Sequence, residues 1–248
     1  MKILLANSNT SADVTARIEA AAVRAASPGT VIVARNANFG ARVVGTRAEA
    51  AVAAHGLVDM LAEHAQGCDA VVIGMSFDTG LWAAREMLDI PVVGMTEASL
   101  LLACTLAPRF GLVTFASRGL EIYHEVVESY GLGARLAGVA GIAATPYDML
   151  ADPEALYRPI VDCAVGLIDK EGAEAIVLVG AVMAGLPAIL QERVPVPMLE
   201  GISSGILLAE TLARLKPAKP RVGSLQPVPQ RETLGLGPAL TTFFSKPS

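Results

Sequence analysis

Short apolar runs of strand length recur along the chain, each closed by glycine, proline or a polar cluster and followed by a longer segment with helical periodicity. Lys2 to Ala6 reads as a buried strand, Asn7 to Ser11 as a loop carrying helix-capping residues, and Asp13 to Ala26 as a helix. The same reading gives strands at Thr30 to Arg35, Asp69 to Gly74 and Ile90 to Gly94. The helices between and after them are Arg47 to Gln66, Leu81 to Leu88 and Glu97 to Ala107. The pattern then restarts with strands at Phe110 to Thr114, Val139 to Ala143 and Ala175 to Gly180, separated by helices over Leu120 to Tyr130 and Asp152 to Glu171. Strict strand–helix alternation predicts an α/β protein with mainly parallel sheets.

The restart is a repeat. Asp69-Ala-Val-Val-Ile-Gly-Met-Ser-Phe-Asp-Thr-Gly-Leu81 aligns with Glu174-Ala-Ile-Val-Leu-Val-Gly-Ala-Val-Met-Ala-Gly-Leu186 at an offset of 105, and Leu101-Leu-Ala103 with Leu207-Leu-Ala209 at 106. Two units are too few for a solenoid, so the expected architecture is two pseudo-symmetric α/β domains with a cleft between them. The halves are expected at residues 1–108 and 109–215, with room for helices to exchange between them. A proline-rich extended tail is expected over 216–248. Ligands of open α/β sheets sit beyond the strand C-terminal ends, which selects the loops after Ala6, Gly74, Val113 and Val179.

Composition narrows the function. Apolar residues make up 53% of the 248, aromatics only 4%, and no apolar run reaches the roughly 18 to 20 residues of a membrane helix. The first residues have strand length and no cleavage-site pattern, so the expected location is the cytoplasm. A net charge of −5 without a Lys/Arg cluster argues against nucleic acid. The expected partner is a small molecule, with the chain acting as a homo-oligomer. Cys68, Cys104 and Cys163 lack metal-ligand spacing and read as reduced core thiols, so no metal is expected.

Four segments, in order, resemble the aspartate/glutamate racemase superfamily, most closely its hydantoin and allantoin racemase branch. They are Asn7-Ser-Asn-Thr-Ser11, Asp78-Thr-Gly-Leu-Trp-Ala-Ala-Arg85, Ile90-Pro-Val-Val-Gly-Met-Thr-Glu-Ala98, and Gly172-Ala-Glu-Ala-Ile-Val-Leu178 with Met183-Ala-Gly-Leu186. The resemblance runs from residue 2 to about 215. It implies cofactor-free, two-base chemistry at an acidic carbon beside a carbonyl, with one cysteine after each equivalent strand acting on opposite faces of the substrate.

The chain departs from that pattern at both catalytic positions. Met75 stands where the first cysteine belongs and Gly180 where the second belongs. A thioether carries no exchangeable proton and glycine has no side chain. Arylmalonate decarboxylases, a related branch, also have glycine at the first position but keep a cysteine at the second. Ser76 is the neighbouring hydroxyl that a one-residue shift would offer. The resemblance and the repeat place Asn7, Ser8, Asn9, Ser76, Phe77, Thr114, Ser117, Ala181 and Val182 at the substrate. Capping of the following helices is the plainer role for Asn7, Ser8, Asn9, Thr114 and Ser117. Asp78 and Glu97 are candidate general bases or first-turn helix residues. His55, His64 and His124 read as solvated helix positions. The expected function is an isomerase or lyase with a non-cysteine mechanism; the alternative is a binding or regulatory protein on a racemase scaffold.

Overall fold

The computed structural model describes residues 1–115 and 119–245. Its first sheet joins β1 (Lys2–Asn7), β2 (Val31–Asn36), β3 (Ala70–Ile73) and β4 (Val92–Gly94) in the order β2-β1-β3-β4, every pair parallel. The second joins β5 (Phe110–Phe115), β6 (Leu136–Ile142), β7 (Ala175–Leu178) and β8 (Met198–Glu200) in the equivalent order β6-β5-β7-β8, again all parallel. The central strands are buried on both faces, as their unbroken apolar runs require. Beyond the strands read from periodicity, the second sheet carries β8, three residues long and cut off from the apolar run before it by Pro195 and Pro197.

The helices are α1 (Ala12–Ala25), α2 (Arg47–His64), α3 (Leu81–Met87), α4 (Met95–Leu106), α5 (Gly119–Ser129), α6 (Pro146–Ala151), α7 (Tyr157–Glu171), α8 (Pro187–Leu190), α9 (Gly201–Leu215) and α10 (Pro238–Ser245). The helix expected from Asp152 begins instead at Tyr157. Asp152-Pro153 disfavours helix before it, and the chain turns through a short 3-10 segment, Glu154–Leu156. The α4 helix packs against β7 and β8, and α9 against β3 and β4, so each half supplies a covering helix to the other's sheet. Buried Glu210 of α9 fastens this exchange. Its carboxylate accepts from the Ser27 N–H at 2.9 Å, the Ser27 hydroxyl at 2.5 Å and the Thr30 hydroxyl, all in the turn between α1 and β2.

The tail is not wholly extended. Pro238 opens α10, which buries Leu240 and packs on α2. A proline is well tolerated in a first helical turn, and eight residues are too few to show a period in the sequence, so docking decides this helix. No helix among the described residues is long and apolar enough to cross a membrane.

Candidate active site

The C-terminal ends of β1, β3, β5 and β7, with the described residues that follow them, converge on one cavity of about 400 Å3 between the halves. Asn9, Met75, Ser76, Phe77, Thr114 and Gly180 line it at the strand ends, together with Ala181 and Val182. The rim comes from residues 43–46 on one side and Ala144 to Tyr147 on the other, segments that no sequence motif marked. Among the described residues, the lining holds no Asp, Glu, Lys, Arg or His.

Asn7 and Ser8 lie behind this wall rather than in it. The Asn7 amide donates to Asn9 Oδ1 at 2.9 Å and to Thr15 Oγ1 at 3.0 Å, which shapes the loop and leaves Asn9 facing the cavity. The cap of α1 is Ser11, whose hydroxyl accepts from the Val14 N–H. Ser8 Oγ is buried without a hydrogen-bond partner in the described structure. Ser117 lies outside the described residues. Met183 is in the core, and Phe39 stacks edge-on against His55, with ring centroids 4.9 Å apart.

The loop from Met75 to Gly80 is held rigidly. Asp78, with φ +48°, turns its carboxylate onto the N-terminus of α4, accepting from the Thr96 N–H at 3.0 Å and the Glu97 N–H at 2.7 Å. Thr96 returns a bond from its hydroxyl to the Ser76 carbonyl at 2.6 Å. Asp78 is thus a capping group outside the cavity wall. Glu97 is paired with Arg85, and neither carboxylate is a base for the cavity. Burial pushes Asp78 up to about 6, against the opposing pull of those amides and Tyr130.

Helix α5, from the second half, and the turn that follows it grip the same loop through two tyrosines. Tyr123 shares a 2.7 Å hydrogen bond with Ser76, and the Tyr130 hydroxyl donates to Asp78 Oδ2 at 2.7 Å. Both are aimed at the cleft side because seven residues are two helical turns. The Tyr123 ring also meets Phe77 edge-on at 5.2 Å. Burial drives its phenol up to about 12, partly offset by hydrogen bonds from Ser76 and Thr114, so it is neutral at physiological pH. Tyr123 is not among the residues that the sequence places at the substrate; the available signal is its spacing to Tyr130.

At the two positions where the resemblance expects thiols, the backbone differs. The Met75 sulfur accepts the Phe77 N–H at 3.3 Å, so that amide is engaged by the thioether. Gly180 has φ +131° and ψ +120°, a conformation that L-residues rarely adopt.

The comparisons with known proteins agree with this geometry. The family model for Asp/Glu/Hydantoin racemase matches residues 3–209. The chain belongs to that family. It is 34% identical to a hydantoin racemase of Pseudomonas sp. (strain NS671) over 216 residues, 87% of each chain. Among solved structures, the allantoin racemase from Pseudomonas fluorescens superposes with a TM-score of 0.90 at 30% identity, covering 95% of this chain and 100% of that one. The allantoin racemase from Klebsiella pneumoniae gives 0.91 at 30% identity, covering 95% and 96%. The α/β architecture of two four-stranded parallel sheets is thus the family's.

Proposed function

We propose that this racemase-family chain is a cofactor-independent isomerase or lyase acting at an acidic carbon beside a carbonyl, through hydroxyl groups rather than thiols. The substrate is a small carboxylate, ureide or hydantoin-like molecule. One observation carries the reading: a buried Ser76–Tyr123 hydroxyl pair in the wall of a cavity whose described lining is uncharged, beside the first of the two positions where the resemblance expects cysteine. A neutral phenol in a dry site is a strong donor to an oxygen on which enolate charge develops, and such donors are commonly worth 10²–10³-fold in rate. Thr114 and Asn9 add donors on the same wall.

The absence of carboxylate, imidazole and thiol among the described lining residues bears on how the enolate arises. Removing a proton from carbon needs a base in the cavity. Losing a carboxyl group as CO2 does not: the breaking bond leaves its electron pair on carbon, and a proton from Tyr123 or water completes the product. The lyase version therefore asks less of these residues. Incubation in deuterated water tests both, with a panel of 5-substituted hydantoins for Cα exchange and a panel of malonic acids for CO2 release. No deuterium uptake and no CO2 across both panels would defeat the enzymatic reading.

The alternative, a binding protein that holds a small anion without turnover, is favoured by the thioether at position 75, which occupies the Phe77 N–H that would otherwise face the ligand. Calorimetric binding of panel members with no product would support it.

A further inference from the structure

An unneutralised group of arginines lies at the seam between the halves, beside the cavity wall. Arg17 and Arg24 lie seven residues apart on α1, two turns and about 10.5 Å along one edge. That edge faces the second half. Arg17 Nη2 contacts the Met149 sulfur of α6 at 3.9 Å. The Arg24 Nη2 stands 2.6 Å from where a Cβ on Gly185 would be. Arg193 lies over the ring of Tyr157, its guanidinium carbon 5.9 Å from the centroid, and Tyr157 is close enough to Arg17 to influence its charge.

None of the seven ion pairs among the described residues involves Arg17, Arg24 or Arg193. Arg17 Nε is buried and has no hydrogen-bond partner. Burial, and then the charge of Arg24, hold the Arg17 guanidinium below its usual range, while Tyr157 opposes them. A half-buried guanidinium without a counter-charge is costly because it is desolvated without compensation, and buried donors are ordinarily satisfied. Guanidinium forks match the geometry of phosphate, sulfate and carboxylate oxygens.

We infer that this seam is a binding site for a small oxyanion, with Arg17 as its buried donor and Arg24, Arg193 and the Tyr157 hydroxyl around it. The three elements that meet there also reach the cavity. Val14, one turn before Arg17, lines it, as do Pro146 and Tyr147 of α6 and Ala181 and Val182 ahead of Gly185. An anion here ties α1 of one half to α6 and α7 of the other. It also lies outside the described cavity lining, where substrate is expected.

The test is calorimetric titration of the full chain, without substrate, using inorganic phosphate, sulfate and succinate at ionic strength matched with sodium chloride. Saturable binding of one equivalent is expected, weakened roughly tenfold or more by Arg17→Met. The order of the three probes separates a phosphate-type ligand from a carboxylate. Arg193→Ala and Arg24→Ala, at exposed positions, are expected to weaken it too, which keeps the test informative if Arg17→Met folds poorly; Arg221→Ala should leave it unchanged. No saturable heat with any probe, or equal affinity in the Arg17, Arg24 and Arg193 variants, overturns the proposal. Because no substrate is present, this result is independent of whether the cavity is catalytic.

Discussion

The carboxylate of Asp78 occupies the space that a side chain at Gly94 would fill: its Cγ lies 2.5 Å from the position of a Cβ there. The two halves solve one problem in two ways. In the second half Glu200, the residue that ends β8 as Gly94 ends β4, caps α9 itself, its carboxylate accepting from the Ile202 and Ser203 N–H groups at 2.6 and 2.8 Å. In the first half the strand residue is glycine, and the cap comes from the loop that carries Ser76. The anion-stabilising end of α4 is thereby used to hold the cavity wall.

This arrangement makes stability depend on pH with a defined sign. Folding raises Asp78 from 3.8 to about 6, so between those values the folded protein holds a proton that the unfolded chain has lost. The contribution is full below about pH 4 and is lost as pH rises through about 6. Asp78→Asn removes the titration and keeps a residue that tolerates positive φ. Urea midpoints measured from pH 4 to 7 are expected to show wild type losing about 2–3 kcal/mol relative to the variant. Parallel pH profiles for the two proteins would refute this.

Gly180 is committed to glycine. With φ +131°, any side chain is strained, and a Cβ would also stand 3.3 Å from the Phe115 ring. Gly180→Ala is expected to cost about 1–3 kcal/mol, lowering Tm by roughly 2–10 °C. Gly180→Cys should behave the same way and bring no racemase activity, because the backbone there no longer presents a side chain as an L-residue would. A Gly180→Cys protein as stable as wild type would show that the loop rearranges freely.

Much of this was legible in the sequence because the informative residues were backbone-determining or repeated. The offset of 105 located both strand-exit loops, and alternation gave parallel sheets. What stayed hidden depended on side-chain direction across the halves. Tyr123 lies on a helix remote in sequence from Ser76, and its neighbours His124 and Glu125 point to solvent, so a linear reading could not single it out. Asn7 and Asn9 are two residues apart in one polar loop; only their mutual hydrogen bond decides which one faces the cavity.

The three cysteines provide a check on the non-thiol reading. Cys68 is buried, Cys104 and Cys163 are partly exposed, and none lines the cavity. Burial pushes the Cys68 and Cys163 thiols up, which slows alkylation at neutral pH. Iodoacetamide at pH 7.5 is expected to leave ligand binding and any turnover unchanged, even where mass spectrometry finds Cys104 labelled. Inactivation that tracks the labelling of one thiol would return cysteine to the mechanism.

Tyr123→Phe separates the role of the phenol from that of its ring. The ring fills the wall against Phe77 and is retained in the variant, so the fold should change little. The Ser76 hydroxyl, buried, loses its partner, which costs about 1–3 kcal/mol unless water enters. If the phenol donates to a developing enolate, kcat falls about 10²-fold with little change in KM, since the bond strengthens only as charge appears. Ser76→Ala tests the other member. A hydroxyl that merely positions Tyr123 should give a smaller loss, and the double variant should be no worse than Tyr123→Phe alone, because the two form one unit. In wild type the rate should show no inflection near pH 8 to 9, where a free thiol would titrate, because burial holds the phenol at about 12. Additive losses in the two single variants, or a thiol-like inflection, would show that Ser76 and Tyr123 do not work as a pair.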